Sequence, residues 1–148
     1  MASEREVLAF VRSQKSIQFY RNVQQALAKV LKSMPDQDYR KATKNLILMV
    51  LHEGSLGQVM HFPKSSEFKV LQLDVPNKIP YKVLVWVIAH ELGHVMQGRN
   101  WRPGDKDSLE TDASKRASEW GFKKTPEIGA WINRYRKQRL DKLHKYKK

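Results

Sequence analysis

The sequence predicts an α+β fold that is mostly helical, with a small sheet of two or three strands and one helix buried near its centre. Apolar residues recur at helical spacing through most of the chain. Residues 57–75 differ, because they form short apolar runs bounded by Gly, Pro and Ser. Residues 83–89 are apolar throughout, which is typical of a helix covered on every side. A chain of 148 residues can bury a substantial core, and we expect residues 1–148 to form one domain.

The first third of the chain is predicted to be helical. From residue 3 to residue 33 the apolar spacing fits one long helix, or two helices with a break near residues 13–16. Asp36 or Asp38 can then cap a further helix, which we expect to continue to Gly54.

The predicted sheet lies in residues 57–75. Residues 58–62 and 68–73 are expected to be strands, because both runs are rich in apolar residues and the second alternates in polarity. Residues 63–66 contain Pro and two Ser, which indicates the turn or loop that connects these strands.

The buried helix is expected to begin near Tyr81, because Pro80 suits the first position of a helix. It should end near Gln97, since Gly98 can adopt the left-handed conformation that often terminates helices. A loop over residues 99–105 follows.

Two further helices are predicted near the C-terminus. One starts at Asp107 or Ser108 and ends near Gly121, and Thr125 caps the other. The predicted subdivision is N-terminal helices in 1–54, a small sheet in 57–75, a central helix pair in 81–122 and a basic helix in 125–148.

The charge of the chain is strongly positive and uneven. Its formal net charge is +13, and residues 115–148 contain twelve Lys or Arg against three Asp or Glu. A surface of this kind attracts nucleic acid or an acidic protein partner, but it is also compatible with a solvated helix that has no partner.

No apolar run approaches the roughly 20 residues that span a bilayer, and acidic and basic residues interrupt the N-terminus where a secretory signal would be apolar. The sequence contains no Cys, which excludes disulfides and thiolate metal ligands. We therefore expect a cytoplasmic protein in which any metal is bound by His and carboxylate side chains.

The sequence His90-Glu91-Leu92-Gly93-His94 follows the apolar run directly. Residues four apart lie on one face of a helix, so His90 and His94 can offer two nitrogens to one metal ion. Glu91 lies beside them, where a carboxylate can accept a proton from a zinc-bound water. This is the H-E-x-x-H pattern of zinc peptidases. The alternative is that both histidines are ordinary core or surface residues, but a buried helix requires partners for such polar groups.

A catalytic zinc usually has three protein ligands, so a third ligand is expected. Glu110 is the first candidate, because its helical face also carries small residues that allow close packing on the motif helix. Asp112 is the reserve. Alternatively, Glu110 completes a capping box with Asp107 and binds no metal.

Residues 90–94 and 110–114 together resemble the gluzincins, zinc metallopeptidases with His-Glu-x-x-His on one helix and a glutamate ligand on the next, often within Glu-x-x-Ala-Asp. Residues 110–114 match the second pattern except at Ser114, where many members have Asp; a serine can still form a hydrogen bond to a histidine ligand. The resemblance covers about residues 81–122 and implies a compact zincin-like fold. The compact chain is similar to the minimal gluzincins and to ImmA/IrrE-type proteins. It lacks the F-A-x-x-L-L-x-P ending of the ImmA/IrrE-type proteins.

The resemblance implies that His90, His94 and Glu110 bind Zn²⁺ and that Glu91 is the general base of a zinc-dependent endopeptidase. It also implies that a strand beside the motif helix pairs with extended substrate, for which residues 70–73 are the natural candidate.

The group that stabilises the oxyanion is left open among Tyr81, His61 and Tyr135. The alternative function is a basic, zinc-stabilised binding module for nucleic acid or an acidic protein partner, with little or no hydrolysis.

Overall fold

The structure, a computed structural model, describes residues 1–51, 54–61, 68–98 and 104–146. The helices are α1 (Glu4–Ser13), α2 (Arg21–Lys32), α3 (Asp36–Thr43), α4 (Tyr81–Gln97), α5 (Lys106–Glu119) and α6 (Pro126–Tyr146), with a short 3-10 helix at Lys15–Ile17. The strands are β1 (Leu46–Val50), β2 (Leu56–His61) and β3 (Lys69–Asp74). This content confirms the predicted α+β class with a small sheet. The turn predicted at residues 63–66 and most of the loop at residues 99–105 lie outside the described residues.

The N-terminal segment contains two helices, α1 and α2, separated by the 3-10 helix at the predicted break. α1 begins with a capping box, in which the Glu6 backbone N–H donates to Ser3 Oγ at 3.2 Å and the Ser3 backbone N–H donates to Glu6 Oε2 at 2.8 Å. α2 buries an apolar face against α4.

The prediction of a helix from Asp36 to Gly54 is wrong in its second half. α3 ends at Thr43, and Asn45 then takes a positive φ of 55° before β1 begins. The apolar run of β1 fits a buried helix or a buried strand equally well by pattern, and pairing with β3 decides for the strand.

The predicted caps of α3 are also wrong, because the cap residue is Pro35 and no side chain bonds to the helix N-terminus. Asp36 instead pairs with Arg40 at 2.9 Å, and Asp38 accepts a hydrogen bond from Trp120 Nε1 at 2.8 Å.

The sheet has the strand order β1-β3-β2, with β1 parallel and β2 antiparallel to β3. The outer edge of β1 is covered by Gln14, which donates to Leu46 O at 3.1 Å and accepts from Leu48 N at 2.9 Å. Ser16 Oγ also donates to Leu48 O. Over residues 56–60, in the described part of the chain, the outer edge of β2 forms no comparable bonds. β2 is therefore the open edge of this sheet.

α4 is the central helix, and it is buried from Val83 to Gly93. It begins at Tyr81 and ends before Gly98, which has a φ of 79°, as predicted. Pro80 is the cap residue and not the first residue of the helix. α6 begins at Pro126, where Thr125 Oγ1 accepts from the Ile128 backbone N–H at 3.2 Å. None of the described helices is long and apolar enough to cross a membrane.

Candidate metal centre

The two histidines and Glu110 are brought together by close packing of α4 on α5. Gly93 faces the α5 backbone, and a β-carbon on residue 93 would lie 2.7 Å from the carbonyl oxygen of Ala113. Ala113 and Ala117 are fully buried on the same face of α5. The predicted face of small residues therefore exists, and it allows Glu110 to reach across to α4.

The ligand group consists of His90, His94 and Glu110. The Nε2 atoms of His90 and His94 are 3.2 Å apart, Glu110 Oε2 is 2.9 Å from His90 Nε2, and Glu110 Oε1 is 3.3 Å from His94 Nε2. Ligand atoms about 2.0–2.1 Å from a tetrahedral zinc are separated by about 3.3 Å, so the three distances fit one small cation. This group could hold a metal ion.

Each histidine has a second partner at Nδ1. Ser114 Oγ lies 3.2 Å from His90 Nδ1, which is the contact expected of this serine. Gln97 Oε1 lies 2.8 Å from His94 Nδ1. The Gln97 amide nitrogen donates to Leu109 O at 2.7 Å and to Asp112 Oδ2 at 3.0 Å, which leaves its oxygen to face His94. In neutral His94, the proton therefore belongs on Nδ1, and Nε2 keeps the lone pair that a metal requires.

The sequence analysis identifies Gln97 only as the end of the buried helix and does not predict its contact with His94. Its spacing of three residues from His94 places it on the same face of α4, and that spacing was the available signal.

The electrostatics of the group favour a bound cation. Hydrogen bonds from His90 and His94 hold the pKa of the Glu110 carboxyl well below its usual range. Burial alone would lower the pKa of His94, but hydrogen bonds with Glu110 and Gln97, together with the charges of Glu91 and Glu110, raise it to about 9. Glu110 is thus anionic and lies beside His94 Nε2. This environment favours a positive charge at His94, either a proton or a metal ion.

The contacts of Glu110 and Asp112 differ. α5 begins at Lys106 with Asp105 as its cap residue, so Glu110 is not part of a capping box with Asp107. Asp112 accepts from Gln97 and pairs with Arg116 at 3.0 Å, and it is not in the group that could hold a metal.

Glu91 is buried, with 8% of its surface exposed. Its side chain lies against β2, where a β-carbon on Gly57 would be 2.7 Å from Glu91 Cγ. Leu56, the preceding residue, has a φ of 81°, an unusual conformation for a branched side chain. Among the described residues, no side chain or backbone group donates a hydrogen bond to the Glu91 carboxylate. Burial raises the pKa of this carboxyl, although the charges of the two histidines oppose the effect.

Two cavities meet at Glu91 and Glu110. The first, of about 310 Å³, is bounded by β2 and the start of α5, with Val59, His61 and Leu109 in its wall. The second, of about 410 Å³, extends towards α6. Together they form an open cleft, in which His94 lines the first cavity and His90 lines the second.

The candidates for oxyanion stabilisation are separated by the structure. His61 lines the first cavity together with Glu91 and His94. Tyr135 instead donates its hydroxyl to Gly54 O at 2.9 Å, and Tyr81 lies at another cavity beneath Lys29. Neither tyrosine lines the two cavities beside the ligand group, so His61 is the candidate of the three that borders it.

The prediction that residues 70–73 pair with substrate is also wrong, because β3 is paired on both edges. The open edge belongs to β2, which lines the first cavity. The group that could hold a metal ion, the Glu91 carboxylate and the open edge of β2 thus lie along one cleft. Comparison of the chain with protein-family models, curated proteins and solved structures finds no match.

Proposed function

We propose that this protein is a zinc-dependent endopeptidase. The observation that carries the proposal is the buried Glu91 carboxylate, which has no hydrogen-bond donor among the described residues and lies beside three converging ligand atoms. The carboxylate borders both cavities of the cleft, and burial raises its pKa. Carboxyl groups with a pKa perturbed in this way concentrate at sites where they perform chemistry.

Zinc is the metal that suits this ligand set. Two imidazole nitrogens and one carboxylate form the three-ligand set of catalytic zinc sites, which leaves a position for water or substrate. A structural zinc site would require a fourth protein ligand, and the described residues offer only His90, His94 and Glu110 in the group. Zinc bound there would lower the pKa of a water to about 7 and polarise a peptide carbonyl.

Four features of the chain have separate roles in the proposed reaction. Glu91 accepts the proton of the attacking water at a carboxylate oxygen and delivers it to the amide nitrogen of the leaving group. Ser114 and Gln97 hold the two imidazole rings in orientation. The outer edge of β2 pairs with an extended peptide and places its carbonyl in the cleft.

The test combines metal analysis with peptide hydrolysis. We expect about one zinc per chain in the parent protein, and much less in His90→Ala and His94→Ala. His144→Ala, which changes an exposed histidine of α6, serves as the matched control and should keep the metal. Glu91→Gln should keep the metal and lose hydrolysis, whereas Glu119→Gln on the exposed side of α5 should keep both. Full hydrolysis by Glu91→Gln contradicts the mechanism.

A basic binding module is the second candidate function, and the end of α6 favours it. Residues 140–146 are exposed, and the helix from Arg134 to Tyr146 carries six Lys or Arg against one Asp. Such a surface attracts the phosphates of nucleic acid and the carboxylates of acidic proteins. Binding to random-sequence RNA or DNA that weakens steeply with salt, unchanged in Glu91→Gln and without detectable hydrolysis by the parent, would favour this candidate over the peptidase.

A further inference from the structure

The second cavity beside the ligand group contains two cations that the proposed hydrolysis does not use. Lys124 precedes α6 and Arg136 lies on it, and both side chains are exposed in the wall of this cavity. Within the described ranges, neither forms a salt bridge with a carboxylate. Their positive charge is therefore available to a bound molecule.

The position of Lys124 relative to the ligand group is fixed by aromatic contacts. Its ammonium lies over the ring of Trp86, 5.0 Å from the ring centroid. Trp86 in turn stacks on His90, with 4.8 Å between ring centroids. The ammonium is thus one ring away from a metal ligand, which is within the reach of a substrate residue next to the cleaved bond.

Neither carboxylate of the cavity forms a salt bridge with these cations, although the charge of Arg136 acts on Glu91 and opposes the rise of its pKa. Glu110 faces the histidines, at 2.9 Å from His90 Nε2 and 3.3 Å from His94 Nε2. Glu91 packs against Gly57 on β2. A zinc ion in the ligand group would add two further positive charges to the same cleft.

We propose that Lys124 and Arg136 bind a carboxylate of the substrate, so that this half of the cleft selects peptides with an acidic side chain or a free C-terminal carboxylate near the cleaved bond. Arginine suits this role because its guanidinium can donate two parallel hydrogen bonds to one carboxylate. The first cavity is different, since among the described residues it combines apolar Val59 and Leu109 with one lysine, Lys106. The inference rests on the proposed peptidase function and assigns its substrate class.

The test measures binding and cleavage separately. Four pools of heptapeptides with uncharged flanking residues and a blocked N-terminus are compared. Three have an amidated C-terminus and a central Glu, Gln or Lys, and the fourth has a central Gln and a free C-terminus. Binding is measured by competition on the zinc-loaded Glu91→Gln protein, and cleavage is measured on the parent protein. We expect at least one carboxylate pool to bind about tenfold more tightly than the neutral amide pool, the usual size of a charge-assisted contact. The pool that binds identifies the source of the carboxylate.

A matched pair of double variants separates a built site from general attraction to a basic protein. Lys124→Gln with Arg136→Gln should remove the carboxylate preference, whereas Lys123→Gln with Arg134→Gln, which removes the same charge from neighbouring positions, should keep it. Both variants should bind zinc like the parent, which excludes direct coordination as the cause. Arg136→Glu reverses the charge at this position and should therefore shift the binding preference towards the Lys pool.

The outcomes are distinguishable from those of the proposed function. Equal binding of all pools, or equal loss in both double variants, overturns the inference. Cleavage of all four pools without preference also overturns it and leaves the peptidase standing. A carboxylate preference that depends on Lys124 and Arg136, in a parent protein that cleaves none of the pools, supports the binding site and counts against the peptidase.

Discussion

Gly93 and Ala113 bring the backbones of α4 and α5 into direct contact. A β-carbon at position 93 would lie 2.7 Å from the Ala113 carbonyl oxygen and 2.9 Å from its Cα, so α5 would have to move away. Glu110 lies one turn earlier on α5 and reaches the histidines only at the present spacing. The glycine in the motif therefore allows the close approach by which Glu110 reaches the two histidines.

Gly93→Ala should weaken both the fold and the metal site. Overpacking of this kind costs about 1–3 kcal/mol of stability, visible as a lower midpoint in urea unfolding. Zinc affinity, measured by competition with a chromophoric chelator, should fall as well, because Glu110 is displaced. Gly129→Ala in α6 is the control, since its β-carbon meets nothing closer than 3.7 Å. A Gly93→Ala protein with parental zinc affinity would show that α5 does not position the ligand.

Gly57→Ala should impair turnover without loss of zinc. The added β-carbon would lie 2.7 Å from Glu91 Cγ and 2.9 Å from Glu91 Cδ, so the carboxylate must shift. A displacement of about 1 Å can reduce the rate about 100-fold. Two quantities are measured on this variant, kcat for a cleavable peptide and the zinc content of the purified protein. If the variant also loses zinc, the substitution does not act on Glu91 alone.

The site could be predicted from the sequence because its chemistry is local. His90, Glu91 and His94 are fixed relative to one another by a single helix, and small residues on the face of Glu110 indicate where the next helix packs. The buried character of α4 follows from its continuous apolar run for the same reason.

The sheet was harder to predict because its strands depend on partners distant in sequence. β1 has an apolar pattern that suits either structure, and Gln14, more than thirty residues earlier, covers its edge. The polarity of residues 68–73 indicated a strand but not that this strand is central. The sequence therefore does not indicate that β2, rather than β3, has the open edge.

Glu110→Gln should lower zinc affinity greatly, whereas Asp112→Asn should leave it close to that of the parent. Glu110 supplies two oxygens to the group, and an amide is a weaker ligand that also presents a donor to the histidines. Asp112 contributes only through its hydrogen bonds with Gln97 and Arg116. Zinc titration of both variants provides the comparison. The opposite ranking would place the third ligand at Asp112.

Gln97→Leu should reduce zinc affinity by about 10- to 100-fold, the usual effect of removing the partner of a histidine ligand. The substitution removes the acceptor at 2.8 Å from His94 Nδ1, so the ring can rotate or change tautomer. Gln138→Leu on the exposed surface of α6 is the matched control. Equal zinc affinity in both variants would show that Gln97 does not orient His94.

The metal-free and zinc-bound proteins should respond differently to pH. Without metal, the pKa of His94 is raised from 6.5 to about 9, so the protonated pair with Glu110 stabilises the fold fully below pH 6.5. This contribution is lost as the pH rises from 6.5 through about 9. The lowered pKa of Glu110 adds stability above its ordinary value of 4.5, which is lost as the pH falls below that value. Both effects should be modest, since 52% of the Glu110 side chain is exposed.

Zinc reverses the dependence at the upper end, because the metal requires the lone pair of His94 Nε2 and must displace its proton. The increase in Tm on addition of chelator-buffered zinc should therefore grow as the pH rises from about 6 to about 9. The measurement is a series of thermal unfolding curves with and without zinc, and His94→Ala is the control that should lose the zinc effect at every pH. A zinc effect of constant size across this range would mean that the metal does not replace a proton at His94.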